Sequence, residues 1–302
     1  MQKTLAKLLR KDVKAVLAEF DGLWEVYGQD DMVEAVHEHR VAVNKLIGNA
    51  MFLGIAGNGK AWPAGLGGMR TWQKRLGPLR DTDVKLEWLE KIRERMRPEA
   101  QPAAEALREF LEAQRDNLRG AIILDAQGYP GAQARVAAGR TGEEFSKAVE
   151  RLRKRAKSFD RHKALLAVAE PWAEALEELR EHQHDEGLHD FRVKNKKFRF
   201  VLELLARPEE DQRTKDLLKN QIKTLKEVHT TLGNLSDLVV FEDRLRTCRA
   251  LWVERGRKLE ESAAALEETR TALEHEELER WLKLWPQVSA PGFLHSIDHC
   301  LR

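Results

Sequence analysis

The sequence predicts an all-α fold. Of its 302 residues, 34% are charged and 7% are aromatic, whereas an average globular domain has about 25% charged residues. Apolar residues recur at steps of three and four along most of the chain, which is the period of one helix face. Strict alternation is lacking and β-branched residues are sparse. A β-sandwich or an α/β enzyme is therefore not expected.

The helices follow from this period in chain order. In the first segment, Leu5, Leu9 and Val16 belong to a stripe that continues to Phe20, with lysines on the opposite side. Nine further segments repeat the pattern. They are Val36–Phe52, Val84–Met96, Ala103–Leu118, Phe145–Phe159, Ala164–Leu179, Phe191–Leu205, Leu217–Leu235, Leu238–Leu251 and Leu266–Leu284.

Two glycine-rich stretches are predicted to interrupt the helices. Residues 54–68 contain six glycines, and residues 120–142 contain five more together with Pro130. Glycine makes a helix costly and a turn easy, so we expect loops or partly ordered linkers in both stretches.

Composition also narrows the cellular setting and the class of ligand. Cys248 and Cys300 are too few for a disulfide framework, and the chain has neither a signal peptide nor eighteen uninterrupted apolar residues. We therefore expect a cytoplasmic protein with reduced thiols and no membrane partner. The 52 Lys and Arg residues nearly balance the 50 Asp and Glu residues. Polyanion binding would thus require that positive charge be segregated on one face.

Two signatures occur twice, in the same order. HEHRVAVNKLI begins at His37 and HDFRVKNKKFR at His189, while LGPLRD begins at Leu76 and LGNLSD at Leu232. The signatures are 39 residues apart in the first copy and 43 in the second. We therefore predict an internal duplication within a single domain, with halves 1–140 and 141–302 related by a pseudo-twofold axis.

The second copy places cations in a row. His189, Arg192, Lys196 and Arg199 follow helical spacing on one face, and apolar residues occupy the opposite face. Like charges at such spacings repel, and an anion lying over the row would relieve that repulsion. The alternative for this helix alone is a set of ordinary surface ion pairs, such as Arg199 with Glu203.

The neighbouring segments favour the anion. Lys215, Lys219, Lys223 and Lys226 repeat the stepping on the next helix, and residues 147–163 are also strongly basic. Acidic residues crowd the C-terminal helices, so charge is segregated along the chain. A dense cationic strip on a nearly neutral chain is typical of a polyanion-binding protein.

These signatures resemble the CHAD family, the conserved histidine α-helical domain. LGPLRDTDV from Leu76 is close to the family's LG-x-x-RD-x-DV, and LHDFRVKNKKFRFVLELL from Leu188 is close to its second-half helix. The resemblance covers essentially the whole chain. It implies two four-helix bundles about a pseudo-twofold and binding of inorganic polyphosphate on a basic surface or central channel. We expect this binding to be non-enzymatic, without a cofactor or a metal.

The resemblance also indicates which side chains contact the polyanion. In the second half these are His189, Arg192, Lys196, Arg199, Lys219, Lys223 and Lys226. In the first half they are His37, Arg40, Lys45, Arg70 and Lys74, and the basic segment before the second signature adds Arg151 and Arg155. Asn44 and Ile47 stand where the family usually has basic residues. A thinner cationic face is therefore expected in the first half.

Other functions remain alternatives. A helical scaffold for protein partners would show the same periodicity. A metal-dependent phosphohydrolase is suggested only by the cluster of His182, His184 and His189, whose spacings do not suit metal ligands on a helix.

GIAGNGKA from Gly54 resembles a phosphate-binding loop, but Ala61 replaces the hydroxyl that would hold Mg²⁺. Nucleic acid is less favoured than polyphosphate because the few aromatics are expected in the core, which leaves no stacking platform.

Overall fold

A computed structural model describes residues 2–29, 32–56, 63–154, 160–181 and 185–301. Across these residues the chain is helical with no β-strand, so the all-α prediction is confirmed. Two short 3₁₀ turns, Leu23–Val26 and Pro98–Ala100, join longer helices. The helices are α1 Gln2–Gly22, α2 Met32–Ala56, α3 Gly65–Arg75, α4 Gly77–Arg93, α5 Gln101–Gln127, α6 Tyr129–Lys154, α7 Arg161–Glu181, α8 Asp185–Ala206, α9 Gln212–Glu254, α10 Glu260–Ser289 and α11 Pro291–Leu301.

Helix α9 joins two segments that the sequence analysis kept separate. It runs without a break through Leu217–Leu235 and Leu238–Leu251. Its end is set by Gly256, which adopts a φ of 66°. The N–H groups of Gly256 and Arg257 donate to the carbonyls of Val253 and Trp252, respectively, so that the last carbonyls of the helix are satisfied.

The predicted loop at residues 120–142 is wrong. Apart from a break at Gly128, this stretch belongs to α5 and α6. Ala137 of α6 packs closely against two glycines of α3. A Cβ on Gly65 would lie 2.5 Å from the carbonyl oxygen of Ala137, and a Cβ on Gly68 would lie 2.6 Å from the Cβ of Ala137. Pro130 is tolerated because it lies in the first turn of α6.

The predicted loop at residues 54–68 is only partly testable. Residues 54–56 continue α2 and residues 65–68 begin α3, so neither end of the stretch is a loop. Residues 57–62, which include most of the phosphate-loop-like segment, lie outside the described residues.

The chain forms two compact units. Unit 1 comprises Met1–Leu76, Ile123–His229 and Leu284–Arg302, and unit 2 comprises Gly77–Ile122 and Thr230–Lys283. Each unit draws residues from before and after position 140. The predicted halves, 1–140 and 141–302, and the duplication itself stay predictions.

Each unit has its own core. In unit 1 the largest buried side chains include Trp72, Trp172 and Phe198. In unit 2 they include Phe241, which shares a core with the completely buried Leu107. Within the ranges given above, no helix is both long and apolar enough to cross a membrane.

Candidate functional site

Helix α8 presents its cations away from the core of unit 1. Phe191, Phe198 and Leu202 on its apolar face are completely buried. Arg192 and Lys196 lie on the other face, where both are partly exposed. The helix was therefore correctly divided by its three- and four-residue period into a buried and a basic side.

A buried amide fixes the rotation of α8. Asn195 is completely buried among the apolar residues. Its Oδ1 accepts a hydrogen bond of 3.1 Å from Trp172 Nε1 on α7, and its Nδ2 donates one of 2.8 Å to the carbonyl oxygen of Leu225 on α9. Because breaking either bond would leave a buried polar group unsatisfied, α8 is held in one orientation.

The side chain of Lys196 lies at the centre of several positive charges. Burial, and then the charges of Arg199, Arg192 and Arg40, lower the pKa of Lys196 to about 8. Arg40 belongs to α2 and the other residues to α8. The arginines of both His-x-x-Arg signatures therefore act on the same lysine.

His229, on α9, faces the same charges. Burial, followed by the charges of Arg192, Arg199 and Lys196, lowers the pKa of His229 to about 4, while a hydrogen bond with the backbone of Arg192 acts in the opposite direction. Its Nδ1 atom is buried and lacks a hydrogen-bond partner among the described residues. We call Arg40, Arg192, Lys196, Arg199 and His229 the cation cluster.

Two arginines of the cation cluster carry unsatisfied donors. Within the described part of the chain, the buried Nε atoms of Arg192 and Arg199 have no hydrogen-bond partner. Arg199 Nε lies 3.4 Å from Glu203 Oε1, which is close enough for an ion pair but is not aligned as a hydrogen bond. A buried donor without an acceptor costs about 1–3 kcal/mol. A bound anion would supply both acceptors and the opposite charge.

The aromatic ring of Phe200 lies against two members of the cation cluster. The Phe200 ring centroid lies 5.2 Å from the guanidinium of Arg199 and 6.0 Å from Lys196 Nζ. The ring packs against Gly48 of α2, where a Cβ would come within 3.2 Å of it. Gly48 therefore allows α2 to approach α8 closely enough to bring Arg40 to the group.

The corresponding helices of the first copy are joined by neutral hydrogen bonds. Gln73 Nε2 on α3 donates to the carbonyl oxygen of Arg40 and to Asn44 Oδ1, both at 3.0 Å. Arg40 Nη1 in turn donates to the carbonyl oxygen of Gln73 at 3.0 Å. Asn44 thus has an uncharged structural role at the position that corresponds to Lys196.

Comparison with known families decides the classification. The family model of the CHAD domain matches residues 7–246. The chain belongs to the CHAD family. The family resemblance seen in the two signatures is therefore confirmed.

The fold agrees with that of a solved CHAD domain. The crystal structure of the CHAD domain from the plant Ricinus communis aligns with a TM-score of 0.63 over 98% of this chain and 91% of the plant chain. At 17% identity this likeness concerns the fold alone. No curated protein matches the sequence.

Of the contacts predicted before residue 140 in this CHAD domain, only Arg40 joins the cation cluster. Lys45 Nζ lies 3.5 Å from Glu19 Oε2 on α1, and His37 Nε2 lies 3.8 Å from Glu38 Oε1. Arg70 and Lys74 are exposed on α3. Sequence spacing places all these residues on a helix face, but it does not reveal the acidic neighbours of Lys45 and His37.

The buried histidine of the first copy is His39. It accepts a hydrogen bond of 2.6 Å from the Tyr27 hydroxyl at Nδ1, and its Nε2 lies 2.8 Å from the carbonyl oxygen of Phe20. Burial lowers the pKa of His39 to about 4. The first copy therefore has its buried, hydrogen-bonding histidine two residues after His37, in the core.

The other contacts predicted after residue 140 are more exposed than the cations of the cation cluster. Lys226 reaches its edge, because its charge and that of Arg199 both act on Glu203, whose pKa is nevertheless raised by burial. Lys223 is exposed beside Glu227, with 3.8 Å between Nζ and Oε1. The remaining described contacts, His189, Lys219 and Arg151, are exposed. Arg155 lies outside the described residues.

The histidines that could suggest a metal site lie close together in the sequence. His182 and His184 fall outside the described residues. Elsewhere in the described ranges, no group of three His, Cys, Asp or Glu side chains could hold a metal ion.

Sequence analysis missed His229, although two signals pointed to it. It lies three residues after Lys226, which continues the stepping of the basic face. It also stands three residues before Leu232, as Gln73 stands three residues before Leu76. Counting back from the Leu-Gly signature would have paired the two positions.

Proposed function

We propose that this CHAD domain binds inorganic polyphosphate, or a comparable condensed anion, at the cation cluster without catalysing a reaction. The observation that carries the proposal is the half-buried group of Arg192, Lys196 and Arg199, which faces a single carboxylate, Glu203, among the described residues. Membership in the CHAD family supports the same ligand.

The chemistry of the ligand suits such a group. Each internal unit of polyphosphate carries about one negative charge, so a bound chain meets several cations at once. An arginine presents a planar fork to phosphate oxygens, while a lysine acts as a mobile point charge. The exposed lysines of α9, with Lys226 nearest, would extend the contact along a chain longer than the cation cluster.

Titration of labelled polyphosphate at two ionic strengths tests the proposal. The triple variant Arg192→Gln, Lys196→Gln, Arg199→Gln should bind about 150-fold more weakly, because three lost contacts at about 1 kcal/mol each remove about 3 kcal/mol of binding free energy. The slope of log affinity against log salt concentration should be smaller by about three, because about one unit of slope is lost with each phosphate contact. Circular dichroism should show unchanged helicity.

A matched control separates a local site from a general loss of charge. Arg97→Gln, Arg246→Gln, Arg257→Gln removes the same number of charges from exposed positions of unit 2. It should bind polyphosphate as the wild type does. Equal weakening in both triple variants, or none in either, would contradict the assignment of the site.

Two further measurements address the alternative functions. Incubation of the protein with polyphosphate and a divalent metal should release no phosphate, and steady release would favour the phosphohydrolase. High salt should dissolve the complex, because exposed charge contacts are screened. A complex that survives high salt would instead favour a mainly apolar protein interface.

A further inference from the structure

His229 occupies a place in the second copy that an uncharged residue occupies in the first. Gln73 donates a hydrogen bond of 3.0 Å to the carbonyl oxygen of Arg40. His229 is likewise placed beside the backbone of Arg192, and this interaction favours the protonated ring, as one with a carbonyl oxygen does. Both side chains thus lie three residues before a Leu-Gly signature and beside the backbone of the arginine of the preceding signature, but only the imidazole can change charge.

The second nitrogen of the His229 ring is left without a partner. Nδ1 is buried and lacks a partner in the described structure, so the interaction with the Arg192 backbone falls to Nε2, which carries the proton when it faces a carbonyl oxygen. In the neutral ring Nδ1 carries a lone pair beside three cations. In the protonated ring it becomes a donor and adds a further positive charge.

The charges around His229 make protonation dependent on the ligand. Arg192, Lys196 and Arg199 act on it from α8, and the net effect keeps its pKa near 4. The charge of Arg40 on α2 acts on Lys196, and Lys226 and Glu203 lie at the edge of the cation cluster. A polyanion lying over these cations would cancel much of the field that disfavours the charged ring.

We propose that His229 takes up a proton when the cation cluster binds its anion, so that affinity for the anion rises as the pH falls. This inference rests on the proposed function. Because the ring gains charge only in the complex, proton uptake and binding are linked, and one proton changes affinity by up to about tenfold per pH unit. The second copy therefore differs from the first in responding to pH as well as in its charge.

Polyphosphate binding at constant ionic strength, at pH 7.5 and at pH 5.5, tests the inference. Wild-type affinity should rise between the two values by about threefold to tenfold more than that of His229→Gln. The variant carries the residue of the first copy and keeps a donor for the Arg192 carbonyl. Protonation of the ligand's own end groups affects both proteins equally and cancels in the comparison. His295→Gln, at an exposed position on α11, should retain the wild-type pH profile.

Calorimetry supplies the direct measurement. Titrations at pH 6 in two buffers of different ionisation enthalpy should show proton uptake by the wild type and by His295→Gln, and less uptake by His229→Gln. In the wild type, the NMR titration of the His229 ring should move to higher pH when polyphosphate is added, which tests the inference without a substitution.

The outcomes distinguish this inference from the proposed function. Parallel pH profiles for wild type and His229→Gln, or a ring titration unchanged by polyphosphate, would overturn proton uptake and leave polyphosphate binding intact. Absence of wild-type binding at both pH values would overturn the proposed function, and this inference with it.

Discussion

Buried cations have opposite environments in the two units. In unit 2, the side chain of Arg270 is 5% exposed and lies 2.8 Å from Glu274, 3.1 Å from Glu267 and 3.5 Å from Glu242. In unit 1, three cations of α8 face the single carboxylate of Glu203 at 3.4 Å among the described residues. The same residue types are thus neutralised by the fold in one place and left with uncompensated charge in the other.

The difference indicates how a structural cation can be told from a ligand-binding one. Arg270 uses its guanidinium donors on its own helix and on α9, so little of its charge is available to a ligand. Arg192 and Arg199 each keep a buried Nε that lacks a partner within the described ranges. Charge that the fold leaves uncompensated is what an anion can stabilise.

The strongest test of this comparison is to remove Arg270. Arg270→Gln leaves three carboxylates close together, and the free energy of unfolding should fall by about 2–3 kcal/mol, below the range for fully buried pairs because these carboxylates remain partly exposed. Urea denaturation measures the loss, with the exposed Arg246→Gln as control. Polyphosphate affinity should not change, and a large loss of affinity would contradict the contrast between the two units.

A second test uses the pH dependence of stability. Burial and neighbouring cations lower the pKa of Lys196 from 10.5 to about 8 in the folded protein. Between these values the unfolded chain binds more protons than the folded one, so the free energy of unfolding should rise with pH. Relative to Lys196→Gln, the wild type should gain about 1–2 kcal/mol from pH 8 to 10.5. Denaturation curves that stay parallel across this range would show that Lys196 titrates normally.

The smallest effect is expected from relief of repulsion. Arg192→Gln removes one of several like charges, so the free energy of unfolding should rise by about 0.5 kcal/mol at low salt. The gain should vanish at high ionic strength, where exposed charges are screened. Denaturation at both salt concentrations provides the measurement. A loss of stability at low salt would mean that Arg192 has a structural partner like those of Arg270.

Local pattern was sufficient to predict the fold class and the basic face of α8. Apolar period separates Phe191 and Phe198 from Arg192 and Lys196 without reference to any other helix. The same reasoning failed for residues 120–142, because their glycines were taken as helix breakers. Gly142 instead lies where α6 packs on α1, since a Cβ there would lie 3.0 Å from Leu17 Cδ1. In the other glycine-rich stretch, Gly65 and Gly68 allow α3 to pack closely on Ala137 of α6. Composition alone does not distinguish these two uses of glycine.

The candidate site was predictable only as far as one helix could specify it. The pairing of Lys45 with Glu19 and the approach of Arg40 to Lys196 depend on packing between helices, which a single sequence does not contain. His229 is distant in sequence from Arg192, and its environment arises only when α8 and α9 meet. The exposed face of a single helix was therefore predicted better than the residues that neighbouring helices bring against it.

The buried amide of Asn195 gives α8 a fixed azimuth. A helix that packs only through apolar side chains can rotate slightly about its axis. A rotation of about 20° moves side-chain atoms near the helix surface by about 2 Å. That distance separates a hydrogen bond to a phosphate oxygen from a missed contact. By bonding to Trp172 and Leu225 in the core, Asn195 thus fixes the direction in which the surface cations of α8 point.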